Sequence, residues 1–354
     1  MDVPIDLGRL HEARFWRPED GRVYCYLCSR RCRIPLDMIG FCGVRKNIDG
    51  KLHALNYGML IARNVDPIEK KPLTHFMPGT MVYSIATVGC NFACQYCQNW
   101  DISQRREISG VYTEPHEVVD DALRTGADGI SYTYNEPTIF AEYALDIMEL
   151  AHRRGLFNTW VTNGYMTPEA LDELGKDLDA ATVDFKGHGN QRFYRKYIYV
   201  SSSEPIFESL LAMKDRDVFI EITDLVVPVE DGYRYEDVRR LAKWIVENLG
   251  PETPFHLLRF HPDYRMIDVP HTPVEVLERS AEIAREEGLQ YVYLGNVWGH
   301  PMEDTYCPSC GHKVIDRLGF YIKKIDLKDG DRCPKCGGRI NLVWRPKKLL
   351  AIND

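Results

Sequence analysis

Seven short segments rich in Val, Ile, Thr and aromatic residues recur along the chain: 82–88 (VYSIATV), 128–134 (DGISYTY), 157–162 (FNTWVT), 181–185 (ATVDF), 217–227 (DVFIEITDLVV), 255–260 (FHLLRF) and 290–294. Each has the composition of a half-buried or buried strand. Helical periods run between them. Over 138–152, Ile139, Tyr143, Ile147 and Leu150 share one face; over 235–249, Val238, Leu241, Ile245 and Leu249 do the same, and Gly250 follows as a stop. Thr167-Pro168 opens a helix over 168–175. Thr272-Pro273-Val274-Glu275 predicts another, with Thr272 as N-cap, Pro273 at the first helical position and Glu275 closing a capping box. Strand followed by helix, repeated, predicts parallel strands joined by right-handed crossovers. The expected fold class is therefore α/β, a partial (β/α)6 TIM-type barrel with its chemistry at the C-terminal strand ends. Ahead of it, Asp49-Gly50 between short apolar segments predicts a hairpin. The expected units are a cysteine-rich module with a hairpin (1–60), the barrel (61–297) and a small C-terminal ribbon (298–354).

Composition changes this picture little. Of 354 residues, 44% are hydrophobic and 27% charged, as in ordinary globular proteins. Residues 1–20 lack the apolar core of a secretory signal, and no later stretch reaches the ~18 apolar residues of a membrane span, so a cytoplasmic protein is expected. A net charge of −8 argues against nucleic acid as a partner for the chain as a whole. The charge is uneven, however: residues 313–348 carry eleven Lys and Arg against four Asp. Such a run reads as a solvated face or as a surface for an anionic partner.

The eleven cysteines change it a great deal. All fall into three groups: Cys25, Cys28, Cys32 and Cys42; Cys90, Cys94 and Cys97; Cys307, Cys310, Cys333 and Cys336. Clustering of this kind in a cytosolic chain points to metals rather than disulfides. The middle group, C-x3-C-x2-C, directly follows the first barrel strand. Three thiolates leave a tetrahedral zinc shell incomplete unless a remote residue such as His75 supplies a fourth ligand. They can hold three irons of a [4Fe–4S] cube and leave the fourth iron open.

That motif, with the aromatic Tyr96 before its third cysteine, resembles the radical S-adenosylmethionine (SAM) superfamily. The resemblance implies that Cys90, Cys94 and Cys97 are the catalytic cluster ligands. It also implies that SAM binds the open iron and is reductively cleaved to methionine and a 5′-deoxyadenosyl radical, which takes a hydrogen atom from the substrate. The resemblance continues at successive strand ends. Asn135-Glu136-Pro137 stands where the family has Gly-Gly-Glu-Pro, with Tyr134 and Asn135 in place of the glycines, and implies Glu136 as acceptor for the SAM amino group. Thr162-Asn163-Gly164 is similar to the Asp-Thr-Asn-Gly of glycyl-radical-enzyme activases; Val161 replaces the Asp, so no cation site is carried over. Asp184-Phe185-Lys186 matches the activases' Asp-x-Lys, with Lys186 suited to the SAM carboxylate. His261 resembles the histidine near the ribose, and Tyr96 is expected against the adenine. Residues 66–79 (DPIEKKPLTHFMPG), Cys97-Gln98-Asn99-Trp100, 132–137 and Tyr293-Leu294-Gly295-Asn296-Val297 narrow the likeness to pyruvate formate-lyase activating enzyme relatives, nearest the radical SAM component of the AmmeMemoRadiSam system.

The paired C-P-x-C-G knuckles at Cys307/Cys310 and Cys333/Cys336, 22 residues apart, predict a ribbon around Zn2+, or around a single rubredoxin-like iron. The first quartet leaves Zn2+ and an auxiliary [4Fe–4S] cluster both open. The function expected is activation of a glycyl-radical protein, with a ferredoxin- or flavodoxin-type electron donor and, through the resemblance, AmmeMemoRadiSam proteins as partners. The alternatives are radical modification of a small molecule, peptide or RNA, and a non-catalytic Fe–S carrier.

Overall fold

A computed structural model describes residues 10–105 and 107–352. The reading of residues 1–20 therefore lies partly outside the described residues.

The seven predicted segments all form strands of one sheet. An antiparallel edge strand precedes them: β1 (Ala62–Pro67), then β2 (Met81–Ala86), β3 (Gly129–Tyr132), β4 (Phe157–Thr162), β5 (Ala180–Lys186), β6 (Phe219–Val226), β7 (Phe255–Arg259) and β8 (Val292–Gly295). The strands lie in strict sequence order, every neighbouring pair from β2 to β8 parallel and only β1 antiparallel to β2. No pair joins β1 to β8 among the described residues, so the barrel is partial. Its central strands are buried on both faces, which is why they read as continuous apolar runs rather than alternating ones.

The crossovers are α1 (Pro115–Arg124), α2 (Ala141–Arg153), α3 (Pro168–Leu174), α4 (Glu204–Lys214), α5 (Tyr235–Asn248) and α6 (Val274–Glu286). Thr167 caps α3 as expected, its hydroxyl accepting from the Ala170 N–H. Thr272 does not cap α6. That helix starts one residue later, with Pro273 at the N-cap and no side-chain cap. The Thr272 hydroxyl instead donates to Val226 O at 2.5 Å and accepts from Phe260 N at 3.2 Å, tying the ends of β6 and β7 together. A buried bond between strand ends outweighs an exposed cap here.

The 66–79 motif forms the floor of the barrel. Phe76 packs with Val82, Phe157 and Ala180 at the strand starts. Glu221 of β6 accepts from Thr74 Oγ1, His75 N and Phe76 N. His75 is fully buried with Nδ1 against Asn341 O and Nε2 against the Tyr293 hydroxyl, each at 2.6 Å. It is therefore no fourth ligand for the middle cysteines.

The 10–60 region contributes Phe15, Val23, Leu27, Ile34, Val44 and Leu52 to the same core as the barrel. Its predicted hairpin joins Arg45–Ile48 to Lys51–Ala54 through Asp49 and Gly50, both at positive φ, as a two-residue type I′ turn requires. The ribbon has a smaller core of its own, with Val314, Ile315, Ile340 and Leu342 against Tyr291 and Tyr293. Part of its positive charge is used internally. Arg317 is buried, Lys313 and Arg339 pair with Asp304 and Asp331, and Lys348 donates to Leu178 O.

Among the described residues no helix is long and apolar enough to cross a membrane.

Candidate active site

Residues from the ends of β2 through β8 line one cavity of about 230 Å³, which a flat sheet could not arrange. Cys90, Cys94 and Cys97 reach it from the loop after β2; Asn135 and Glu136 from β3; Asn163 from β4; Asp184 and Lys186 from β5; Leu225, Phe260 and His261 from β6 and β7; Asn296 from β8. These residues of successive strand ends thus gather around one cavity.

The cysteine loop is held from three sides. Asn135 Nδ2 donates to the carbonyls of Thr87 and Gly89. Asn163 Nδ2 donates to Asn91 Oδ1 at 2.7 Å. Gly89, at φ +97°, lets the N-terminal region press close: a Cβ there would meet Cys42 O at 2.7 Å. All three thiols are free. Cys90 Sγ accepts from Phe92 N at 3.3 Å, and Cys97 Sγ lies 3.1 Å from Ser103 Oγ. Burial, and then the Cys97 thiol, push the Cys94 thiol up to about 12, and burial with the Glu136 charge pushes Cys90 well above its ordinary value. Such thiols become ligands only where a cation offsets their charge, which is the environment a metal cluster supplies. The donor set of three half-buried thiols in one cavity fits a cluster with an open iron.

Glu136 is buried, and its carboxylate is organised by the protein. Oε1 accepts from Thr138 N, Thr138 Oγ1 and Thr162 Oγ1; Oε2 accepts from Asn163 N at 2.7 Å. Burial raises its pKa, against the pull of those donors. Oε2, with one donor, is the oxygen with capacity to spare. Thr162 does not line the cavity; its hydroxyl is engaged by Glu136 and by Gly164 N, so it stands behind the site. Lys186 Nζ lies 3.2 Å from Asp184 Oδ2, whose partner oxygen accepts from Thr223. Burial opposes the ammonium, but Asp184 and Cys94 outweigh it and keep Lys186 charged. Tyr96 is buried edge-on to Phe260 at 6.0 Å, and His261 is exposed at the rim beside His271. Tyr134 keeps a left-handed backbone, φ +67°, at a position where the pattern it resembles has glycine. Its hydroxyl donates to Asp66 and the Lys71 ammonium lies over its ring, contacts that hold a conformation a bulky residue otherwise avoids.

Sequence reasoning missed a second space. A chamber of about 510 Å³ adjoins the first and shares Gln98, Asn99, Tyr134, Asn135, Asp184, Leu258 and Asn296 with it. Its remaining wall includes Lys70, Lys71, His256, Trp298, Arg317 and Phe320. Gln98, Asn99 and Asn296 sat inside quoted motifs without a role. Arg317 and Phe320 come from the ribbon and carry no signal a linear reading could use.

The chain's family follows from comparison. The family model described as the radical SAM superfamily matches residues 84–245. The chain is 44% identical over 338 residues to Uncharacterized protein MJ0808 of Methanocaldococcus jannaschii, covering 94% of this chain and 100% of that one. It is 25% identical over 169 residues to Putative glycyl-radical enzyme activating enzyme MJ1632 of the same organism, covering 46% and 62% of the two chains. Among solved structures, a domain of pyruvate-formate lyase-activating enzyme from Bacteroides vulgatus ATCC 8482 aligns at a TM-score of 0.39 and 18% identity, over 48% of this chain and 100% of that one. With a family match spanning β3 to β6 and the cysteine loop, and three thiols converging on one strand-end cavity, this chain belongs to the radical SAM superfamily and is an enzyme of that class.

Proposed function

We propose that Cys90, Cys94 and Cys97 hold the [4Fe–4S] cluster of this enzyme, that SAM occupies the cavity beside them, and that the chain activates a glycyl-radical protein. The convergence of three thiols, one acceptor carboxylate and one ammonium on a single cavity carries the reading. When bound and reduced by one electron from a low-potential ferredoxin- or flavodoxin-type donor, the cluster and SAM would supply hydrogen-atom abstraction from the substrate, with methionine and 5′-deoxyadenosine as the products of SAM.

The chain's own residues bind and orient. Glu136 offers Oε2 to the SAM amino group, and Lys186, charged and fixed by Asp184, offers its ammonium to the carboxylate. Tyr96, in the cavity wall, would lie against the adenine, and His261, at the open rim, would lie beside the ribose. Asn163 and Asn135 hold the cysteine loop, and Thr162 holds Glu136. The adjoining chamber admits the group that loses hydrogen. The likeness to MJ1632, described as a glycyl-radical enzyme activating enzyme, supports the glycyl-radical choice. A second reading, modification of a small molecule or peptide, is favoured by the cationic side chains Lys70, Lys71 and Arg317 in that chamber. The ribbon is assigned Zn2+.

Anaerobic incubation of reduced enzyme, SAM and a candidate glycyl-radical protein is expected to give 5′-deoxyadenosine together with a glycine-centred EPR doublet on the partner. Deuterium passing into 5′-deoxyadenosine from a small labelled substrate, with no doublet on any protein, favours the second reading.

Glu136→Gln tests the SAM contact. Three donors face Oε1, so the amide oxygen takes that side and the NH2 group replaces Oε2. SAM affinity is expected to fall about tenfold to a hundredfold, the range of one charge-assisted hydrogen bond. Iron content is expected to hold. Iron loss with unchanged affinity in the protein that keeps its cluster would place Glu136 outside the SAM site.

A further inference from the structure

The first cysteine group is not explained by the SAM site. We propose that Cys25, Cys28, Cys32 and Cys42 hold a second [4Fe–4S] cluster, with a protein ligand on every iron, against the back of the loop that carries Cys90.

The four side chains line one small cavity together with Arg30, Arg45 and Asn91. Neither His nor carboxylate joins them there, so the donor set is all thiolate. Spacing separates the two metals such a set accepts. Four thiolates around one zinc at ~2.3 Å stand about 3.8 Å apart, whereas those of a cube bind separate corners and must spread wider. The ribbon shows the narrow arrangement: Cys307 to Cys336 is 3.6 Å and Cys310 to Cys333 is 3.7 Å. Among the described residues it is the one group of three or more His, Cys, Asp or Glu whose ligand atoms all lie within 4.8 Å of one another. The catalytic triad is not so gathered, and neither is the first quartet. By spacing, the quartet belongs with the cluster site rather than with the ribbon.

Charge agrees. Arg45 is 2% exposed; Nη2 pairs with Glu142, while Nε and Nη1 have no hydrogen-bond partner. A buried guanidinium with two idle donors calls for an anion, and a metal centre held by four thiolates provides one with sulfur acceptors, so charge supports a metal here while spacing selects the cube. Backbone N–H groups of Leu27, Arg30 and Val44 face the sulfurs of Cys25, Cys28 and Cys42. Position gives the pairing its meaning. Cys42 and Cys90 line one small cavity with Phe92 and Ser103, and Arg30 reaches across to Asn91 O. The two cysteine sites lie side by side.

The test counts acid-labile sulfide, which ignores zinc, in anaerobically reconstituted full-length protein. About eight sulfides per chain are expected, from two cubes. Cys90→Ala/Cys94→Ala/Cys97→Ala is expected to retain about four, with a reduced EPR signal that SAM does not shift. Cys28→Ala/Cys32→Ala is expected to retain the SAM-shifted signal alone. A wild type with about four sulfides and a second zinc, lost in Cys28→Ala/Cys32→Ala, overturns the proposal. If that variant does not fold, the triple variant still decides, because a sulfide count of zero overturns the proposal equally. Failure of the SAM-site reading looks different: the triple variant would then keep the full wild-type count.

Discussion

Cys90→Ala is expected to bring reductive SAM cleavage down to the level of a protein-free control. Two thiolates do not hold a cube with one open iron, so the site loses the iron that SAM chelates. The substitution is small and the fold should survive it. The loop's own fastenings, Asn135 to the Thr87 and Gly89 carbonyls and Asn163 to Asn91, do not pass through the Cys90 side chain. Total iron is expected to fall to that of the first quartet rather than to nothing. The decisive measurement is the EPR spectrum of the reduced variant with and without SAM. A signal that still shifts with SAM, together with 5′-deoxyadenosine at the wild-type rate, would mean that the catalytic ligands are other cysteines.

How far the sequence reached depended on whether a property is local. All seven parallel strands were legible because burial on both faces leaves uninterrupted Val, Ile and aromatic runs. Strand β1 was not: its pattern, Ala62-Arg63-Asn64-Val65-Asp66-Pro67, is that of an exposed edge and has little apolar signal. Thr272 looked like a cap because the cap signature is only four residues long. The bond it makes instead, to Val226 O, is 46 residues away. Likewise the strand-end motifs named the right neighbourhood but not the division of labour within it. Thr162 and Asn135 stand next to Glu136 in the reading, and only the fold shows that Thr162 supports the carboxylate while Asn135 supports the cysteine loop. The ribbon's share in the larger chamber was beyond any linear pattern, since Arg317 reaches Thr74 across 243 residues.

That last contact shapes what should follow from emptying the ribbon. In Cys333→Ser/Cys336→Ser two of four ligands are gone, and with them most of a metal-binding free energy of about 10–16 kcal/mol in isolated zinc modules. The ribbon's own core is a handful of side chains, Val314, Ile315, Ile340 and Leu342 on Tyr291 and Tyr293, too few to hold it closed without the metal. One equivalent of zinc is expected to be lost, and a low-temperature unfolding step that EDTA no longer affects should appear. The cavity beside Cys90, Cys94 and Cys97 takes no residue beyond Asn296, so the SAM-induced EPR shift is expected to persist. The adjoining chamber is another matter. Arg317 is buried, donating to Thr74 O at 2.9 Å and to Thr305 Oγ1 at 2.7 Å, and with Gly319 and Phe320 it forms wall that a loosened ribbon withdraws. The variant should therefore still cleave SAM while losing transfer to the partner, so that 5′-deoxyadenosine accumulates, its hydrogen taken from reductant or buffer, without a matching yield of product radical. Loss of the SAM-induced shift in protein that retains its iron would instead tie the ribbon to SAM binding, and equal yields in variant and wild type would make it a fold-closing terminus alone.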